Sequence, residues 1–262
     1  MASRRLPTTD LFSLKGKTVI ATGATGGLGT EMCLSLAEAG ANIVALLLPG
    51  DKATPALSNL VTETGRSFTS FECDVSNTSA VREVFSKIWS CSIAPDILLN
   101  CAGLNRRHPI VDMTDADIDL IFALNLKGVY VASQEFGRRL IALNRPGKIV
   151  NIASITSFIA NVNVSAYATS KGGVLQMTKA FSNEWASKNI QVNCICPGYF
   201  KTPLTQELVN NPEFDSSVLD RTPAGRWGEP DDLRGAVLFL ASQASNYVSG
   251  ASIVVDGGML GK

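Results

Sequence analysis

Short apolar runs alternate with segments of helical spacing along the whole chain, and that alternation restricts the fold more than any other feature. The first run, residues 17–22, stops at a glycine. Leu28, Met32, Leu36 and Ala39 then fall on one face of a helix. Strands are expected at 42–48, 67–73, 96–100, 148–153, 191–195 and 252–255. Helices are expected near 54–64, at 78–89, across 115–143 as one or two segments, and at 166–187 and 231–241. Strands separated by helices of ten or more residues pair in parallel through right-handed crossovers. The expectation is therefore one α/β domain over 1–262: a doubly wound parallel sheet with helices on both faces. The longest irregular stretch, 197–230, carries Tyr199, Phe200, Leu204 and Leu208. It reads as a lid over a site, with a surface insertion as the alternative.

Composition removes several classes of function. Hydrophobic residues make up 45% and charged residues 18% of the 262, which suits a chain that folds alone. Lys+Arg and Asp+Glu balance at 23 each, so no net field gathers nucleic acid or an anionic membrane, and neither is expected as a partner. No run approaches membrane-spanning length, and residues 1–15, with Arg4 and Arg5, have no signal-type apolar stretch; a cytoplasmic protein is expected. The six cysteines read as reduced thiols. Cys194 and Cys196 share one face of a strand, as buried hydrophobes do, and no metal site is expected.

The turn Thr22-Gly23-Ala24-Thr25-Gly26-Gly27-Leu28-Gly29 joins the first strand to the first helix. A pyrophosphate needs close backbone approach, free N–H groups and the partial positive charge of a helix N-terminus, all of which a glycine turn permits. In a first-strand position this makes a Rossmann-like dinucleotide site the expectation.

Tyr167 and Lys171 lie four residues apart in a helical segment and so share a face. An ammonium beside a phenol favours the phenolate, so Lys171 is expected to lower the pKa of Tyr167 and tune it as an acid/base. Ser154 follows the strand at 148–153, at the end where ligands of parallel sheets bind, and can stabilise a developing alkoxide; capping of the next segment is the other reading. Arg106 and Arg107, after the strand at 96–100, can grip a carboxylate or simply be surface charges. His108, the sole histidine, has no second imidazole with which to share a metal.

The pattern Thr-Gly-x-x-x-Gly-x-Gly, Ser154 thirteen residues before Tyr167, and Tyr-x-x-x-Lys together resemble the short-chain dehydrogenase/reductase family, from about residue 14 to 258. The resemblance implies an oxidoreductase that moves a hydride between NAD(P) and an alcohol or ketone carbon. It implies cofactor contacts at Gly23, Thr25, Gly27, Leu28, Gly29, Asp74, Val75, Asn100, Ala102, Gly103, Tyr167, Lys171, Pro197, Gly198 and Thr202. Cys101 departs from the family's asparagine at that position. Asn125 matches the asparagine that completes a catalytic tetrad with Ser154, Tyr167 and Lys171, with a backbone hydrogen bond within a helix as the alternative. Leu47 stands where the family usually places an acid that selects NAD, and Lys52 is near enough to reach a 2′-phosphate, which tilts the choice slightly toward NADP. Gly26 replaces a basic residue common in NADP users. The arginine pair and the segment 220–228 resemble sugar-acid members, implying a small polyol or sugar acid as substrate, with Arg106, Arg107 and Tyr199 as candidate substrate contacts. A homotetramer is implied as well. The alternatives are a ketoreductase for a bulkier secondary-metabolite carbonyl and a non-catalytic dinucleotide sensor.

Overall fold

The computed structural model describes residues 6–262, so Arg4 and Arg5 lie outside the described residues. Strand β1 (Thr18–Thr22) runs into helix α1 (Gly27–Glu38), followed by β2 (Asn42–Leu47), α2 (Thr54–Glu63), β3 (Phe68–Glu72) and α3 (Thr78–Ser90). Asn77 starts α3 by accepting hydrogen bonds from the Ser79 and Ala80 N–H groups, two donors a helix start leaves unpaired. The second half continues with β4 (Ile97–Asn100), α4 (Asp115–Phe122), α5 (Val129–Ala142), β5 (Gly147–Ile152), α6 (Ser165–Trp185), β6 (Ile190–Pro197), α7 (Gln206–Val209), α8 (Pro212–Arg221), α9 (Arg234–Ala241) and β7 (Ser252–Val255).

All seven strands pair in parallel, in the order β3-β2-β1-β4-β5-β6-β7. The doubly wound sheet expected from the alternation is what forms. Its central strands are buried almost throughout because both faces are covered. One face packs Phe85, Ile88, Phe136 and Leu140 from α3 and α5 with Phe181 and Trp185 from α6. The other packs Met32 and Leu36 of α1, Leu57 and Val61 of α2, and Val237 and Leu240 of α9. The sequence of strands reverses direction between β1 and β4, which opens a crevice at their C-terminal ends.

Two local features differ from expectation. Residues 115–143 form two α-helices joined by a π-helical turn, Ala123–Gly128, inserted between them. The stretch 197–230 is not irregular: it holds α7 and α8, the latter started by the Asn211 side chain and by Pro212 in its first turn. Its apolar residues build a third cluster in which Val218, Trp227, Ile155 and Met259 are buried against Tyr199, Leu208 and Phe214. Trp227 Nε1 donates to Asp215 Oδ1 of α8 at 2.7 Å. Neither signal belongs to the two-period pattern from which the other elements are read.

Candidate active site

A cleft of about 490 Å³ occupies the crevice between β1 and β4. One wall is the glycine turn, including Gly23, Thr25, Gly27, Leu28 and Gly29. Gly23 has φ +62°, and a Cβ there would meet Ala102 Cα at 2.7 Å; at Gly29 a Cβ would strike the Gly23 carbonyl oxygen. Side chains are thus excluded by backbone on both sides. Thr22 Oγ1 accepts from the N–H groups of Cys101 and Ala102 at 3.2 Å each, locking the turn after β4 against the turn after β1. Gly26 precedes α1 without a side-chain cap, so first-turn N–H groups stay free at the cleft wall. This cradle fits the pyrophosphate of a dinucleotide.

Ala102 and Gly103 line the cleft from the β4 side, and Pro197, Gly198 and Thr202 from beyond β6. Ser154, Tyr167 and Lys171 line it at the far end. Other expected contacts are elsewhere. Asp74 turns its carboxylate back on Ser76, Val75 packs in the core against Gly128, and Asn100 is buried, donating to Ser133 Oγ and Asn151 Oδ1 at 2.9 Å each. None of the three lines the cleft.

Ser154 is buried and its Oγ accepts from Thr156 N at 3.1 Å, so it both caps a short turn and faces the cleft. Lys171 is only 4% exposed; its Nζ donates to the Ile152 carbonyl at 2.7 Å and lies 5.7 Å from the centre of the Tyr167 ring. The expected lowering of the phenol is not observed. Burial pushes Tyr167 up to about 12, and a hydrogen bond with Ser154 offsets only part of that rise. Burial likewise lowers Lys171 to about 8. At neutral pH the pair is a protonated phenol beside an ammonium. That is the state required of a proton donor.

The sequence and the fold are similar to those of proteins already known. A family profile described as "Enoyl-(Acyl carrier protein) reductase" matches residues 23–260. Over 251 residues, 96% of this chain and 98% of the relative, the sequence is 42% identical to 2-dehydro-3-deoxy-D-gluconate 5-dehydrogenase of Escherichia coli (strain K12). This chain belongs to the short-chain dehydrogenase/reductase family. The family member from the same strain called 5-keto-D-gluconate 5-reductase is 37% identical over 252 residues, 96% of this chain and 98% of its own. The crystal structure of a gluconate 5-dehydrogenase from Burkholderia cenocepacia J2315, in complex with NADP and tartrate, superposes with a TM-score of 0.93 at 37% identity, covering 98% of this chain and 100% of the other.

Against that family background, the individual residues of this short-chain dehydrogenase/reductase can be placed. Asn125 sits in the π-helical turn, buried, with Oδ1 accepting from Leu104 N at 2.9 Å and Nδ2 donating to Leu104 O at 2.8 Å and Ser170 Oγ at 3.2 Å. It clamps the loop after β4 rather than lining the cleft. Cys101 lines the cleft as a thiol that burial holds up to about 11. The two arginines part company: Arg106 lies 3.7 Å from Asp117, while Arg107 lines a second cavity of about 130 Å³ that shares Ser154 and Tyr167 with the cleft. Tyr199 lines that cavity too. His108 faces Asp117 at 3.9 Å, away from the cavity lining.

The residue most clearly missed from sequence is Asp51. It lies four positions beyond Leu47, and its carboxylate accepts from Thr25 Oγ1 at 2.6 Å, at the edge of the glycine turn. Distance counted from the end of β2 pointed to Leu47, whereas the loop folds Asp51 back. Leu204, expected in the lid segment, lines both the cleft and the second cavity; Thr205 beside it lines both as well and was missed, because no local pattern marks it.

Proposed function

We propose that this protein transfers a hydride between NADP or NAD and an alcohol or ketone carbon of a small polyol or sugar acid. The observation that carries the reading is the junction of two cavities at Ser154 and Tyr167: a glycine-walled cleft on one side, a cavity holding Arg107 on the other. The bound dinucleotide supplies or accepts the hydride. For ketone reduction, Tyr167 gives its proton to the substrate oxygen, and Ser154 supplies a hydrogen bond to the same oxygen as charge develops there. Lys171, charged below about pH 8, stabilises the phenolate left behind. Asn125 holds the Gly103–Leu104 segment and thereby supports the Lys171 side of the site.

Support for the sugar-acid class comes from the printed activities of the relatives and from Arg107, which has no carboxylate among the residues around it in the cavity. Leu204 and Leu208 in the same wall favour a second reading, a bulkier and more apolar ketone. For the cofactor, the missing acid at Leu47 and the NADP bound by the Burkholderia relative support NADP, while Asp51 supports NAD. Segment 197–230 acts as a lid within a single domain, and the working form is a cytoplasmic homotetramer.

The decisive test follows NADH and NADPH absorbance separately with a panel of keto-acids and ketones. Tyr167→Phe should bind cofactor as before and lose turnover by about a hundredfold or more. Full activity in that variant removes the assignment.

A further inference from the structure

A hollow at the opposite end of the sheet stands apart from the cleft. Ser154 follows the C-terminal end of β5, whereas this hollow opens at the strand starts, where Ile97 of β4, Lys148 of β5 and Gln191 of β6 line it. Its volume is about 260 Å³, and it shares no lining residue with the cleft. Along β5, Lys148 and Ser154 are about 20 Å apart at strand spacing. The wall also takes in Ala241 at the end of α9, Gln243 and Asn246 after it, and Leu14 and Lys17 ahead of β1. Its chemistry concentrates on Lys148. That side chain is buried, and one of its three ammonium protons goes to Ser245 Oγ at 3.1 Å; among the described residues no carboxylate and no other acceptor reaches it. Asp96 is the only acid among the described lining residues, and it already accepts from Lys17 Nζ at 3.1 Å, Thr18 N at 3.0 Å and Arg145 Nη2 at 3.2 Å. A buried cation without a counter-charge is costly. Burial lowers Lys148 to about 8, so at neutral pH it still carries its charge.

We propose that this hollow is a binding site for a short aliphatic monocarboxylate, separate from the cleft where hydride transfer takes place. The Lys148 ammonium, with two donors unused, pairs with the carboxylate. One uncompensated cation matches one negative charge, which favours a monoanion over a phosphate or a dicarboxylate. Leu14, Ile97, Pro146 and Ala241 face the aliphatic chain, and the amides of Gln191 and Asn246 border it. The bound acid supplies the counter-charge that the fold withholds, so it stabilises the folded chain over the unfolded one. The proposal does not depend on what the cleft turns over, because the two sites have no residue in common.

Thermal melts of the full chain at neutral pH, with hexanoate as the probe, test the proposal. One desolvated ion pair and a short chain predict a Kd of about 1 mM, so about 20 mM hexanoate should raise the melting temperature by about 3–6 °C. Hexanamide, with the same chain and no charge, should leave it unchanged. Lys148→Met should abolish the hexanoate response while still melting cooperatively, and Lys148→Gln repeats the test with a polar side chain. Ser245→Ala frees the third ammonium proton and should keep the response. Arg107→Ala should keep it too, since that guanidinium belongs to the cavity beside the cleft. Three outcomes overturn the proposal: no response in the unmodified protein, a response that survives in both Lys148 variants, or one that disappears with Arg107→Ala. An equal rise with hexanamide or with inorganic phosphate overturns it as well, because the hollow then reads neither the charge nor the chain. None of these outcomes bears on hydride transfer, which the Tyr167→Phe assay tests separately.

Discussion

At Asp51 a single carboxylate stands at the edge of the glycine turn, and its proposed part is to set how that end of the cleft treats charge. Its oxygen lies 2.6 Å from Thr25 Oγ1, on the glycine turn. A 2′-phosphate brought there meets like charge, whereas free ribose hydroxyls find an acceptor. Asp51→Asn keeps an oxygen for Thr25 and removes only the charge. The expected outcome is a rise of about tenfold in the ratio of kcat/KM for NADPH over NADH, worth about 1.4 kcal/mol. An unchanged ratio means that Asp51 plays no part in the choice. Tyr167 and Lys171 make a complementary point, because helical spacing correctly placed them together. Spacing did not reveal that burial, rather than their mutual charge, dominates both groups.

Among the elements, β5 combines a functional end with an unexpected charge. All six of its residues are buried, and its C-terminal end delivers Ser154 to the cleft. Near its start, Lys148 is 8% exposed and donates to Ser245 Oγ at 3.1 Å. Burial lowers its pKa from 10.5 to about 8. Below pH 8 the amine is charged in both folded and unfolded chains, and folding bears the full desolvation cost. Between about 8 and 10.5 the unfolded chain holds a proton that the folded chain has released, so stability from this group climbs as pH rises. Lys148→Met should therefore raise the melting temperature at pH 7, by an amount equivalent to about 1–3 kcal/mol. The advantage should shrink toward pH 10 in the same thermal melts. A variant that melts lower at pH 7 shows instead that the Ser245 hydrogen bond outweighs the desolvation.

For the whole molecule, apolar side chains remain on the outside after three clusters have formed. Tyr130 of α5 is 46% exposed and Val254 of β7 is 38% exposed, while Ile110 and Val111 project at 75% and 91%. No helix among the described residues is long and apolar enough to cross a membrane. Burial between copies of the chain is the proposed use of these surfaces, with contacts along α6 and near residues 255–258. Light scattering at micromolar concentration should give a mass four times the 27.8 kDa of the chain. A value near the single-chain mass rules out the tetramer.

The alternation of apolar runs and helical spacing determined the sheet, its parallel pairing and the position of its crevice, because those follow from local periodicity and from the handedness of crossovers. Local spacing also determined Gly23, Gly29, Tyr167 and Lys171, each constrained by neighbours a few residues away. Tertiary structure alone decided which groups meet across long stretches of chain: Thr25 with Asp51, Asn125 with Leu104, and Tyr199 with Asn161 and Arg221. It also separated Arg106 from Arg107 and folded 197–230 into helices packed on Trp227. Hydrogen bonds between distant residues and the desolvation of buried charges depend on how surfaces are brought together in space, and no period within the sequence encodes them.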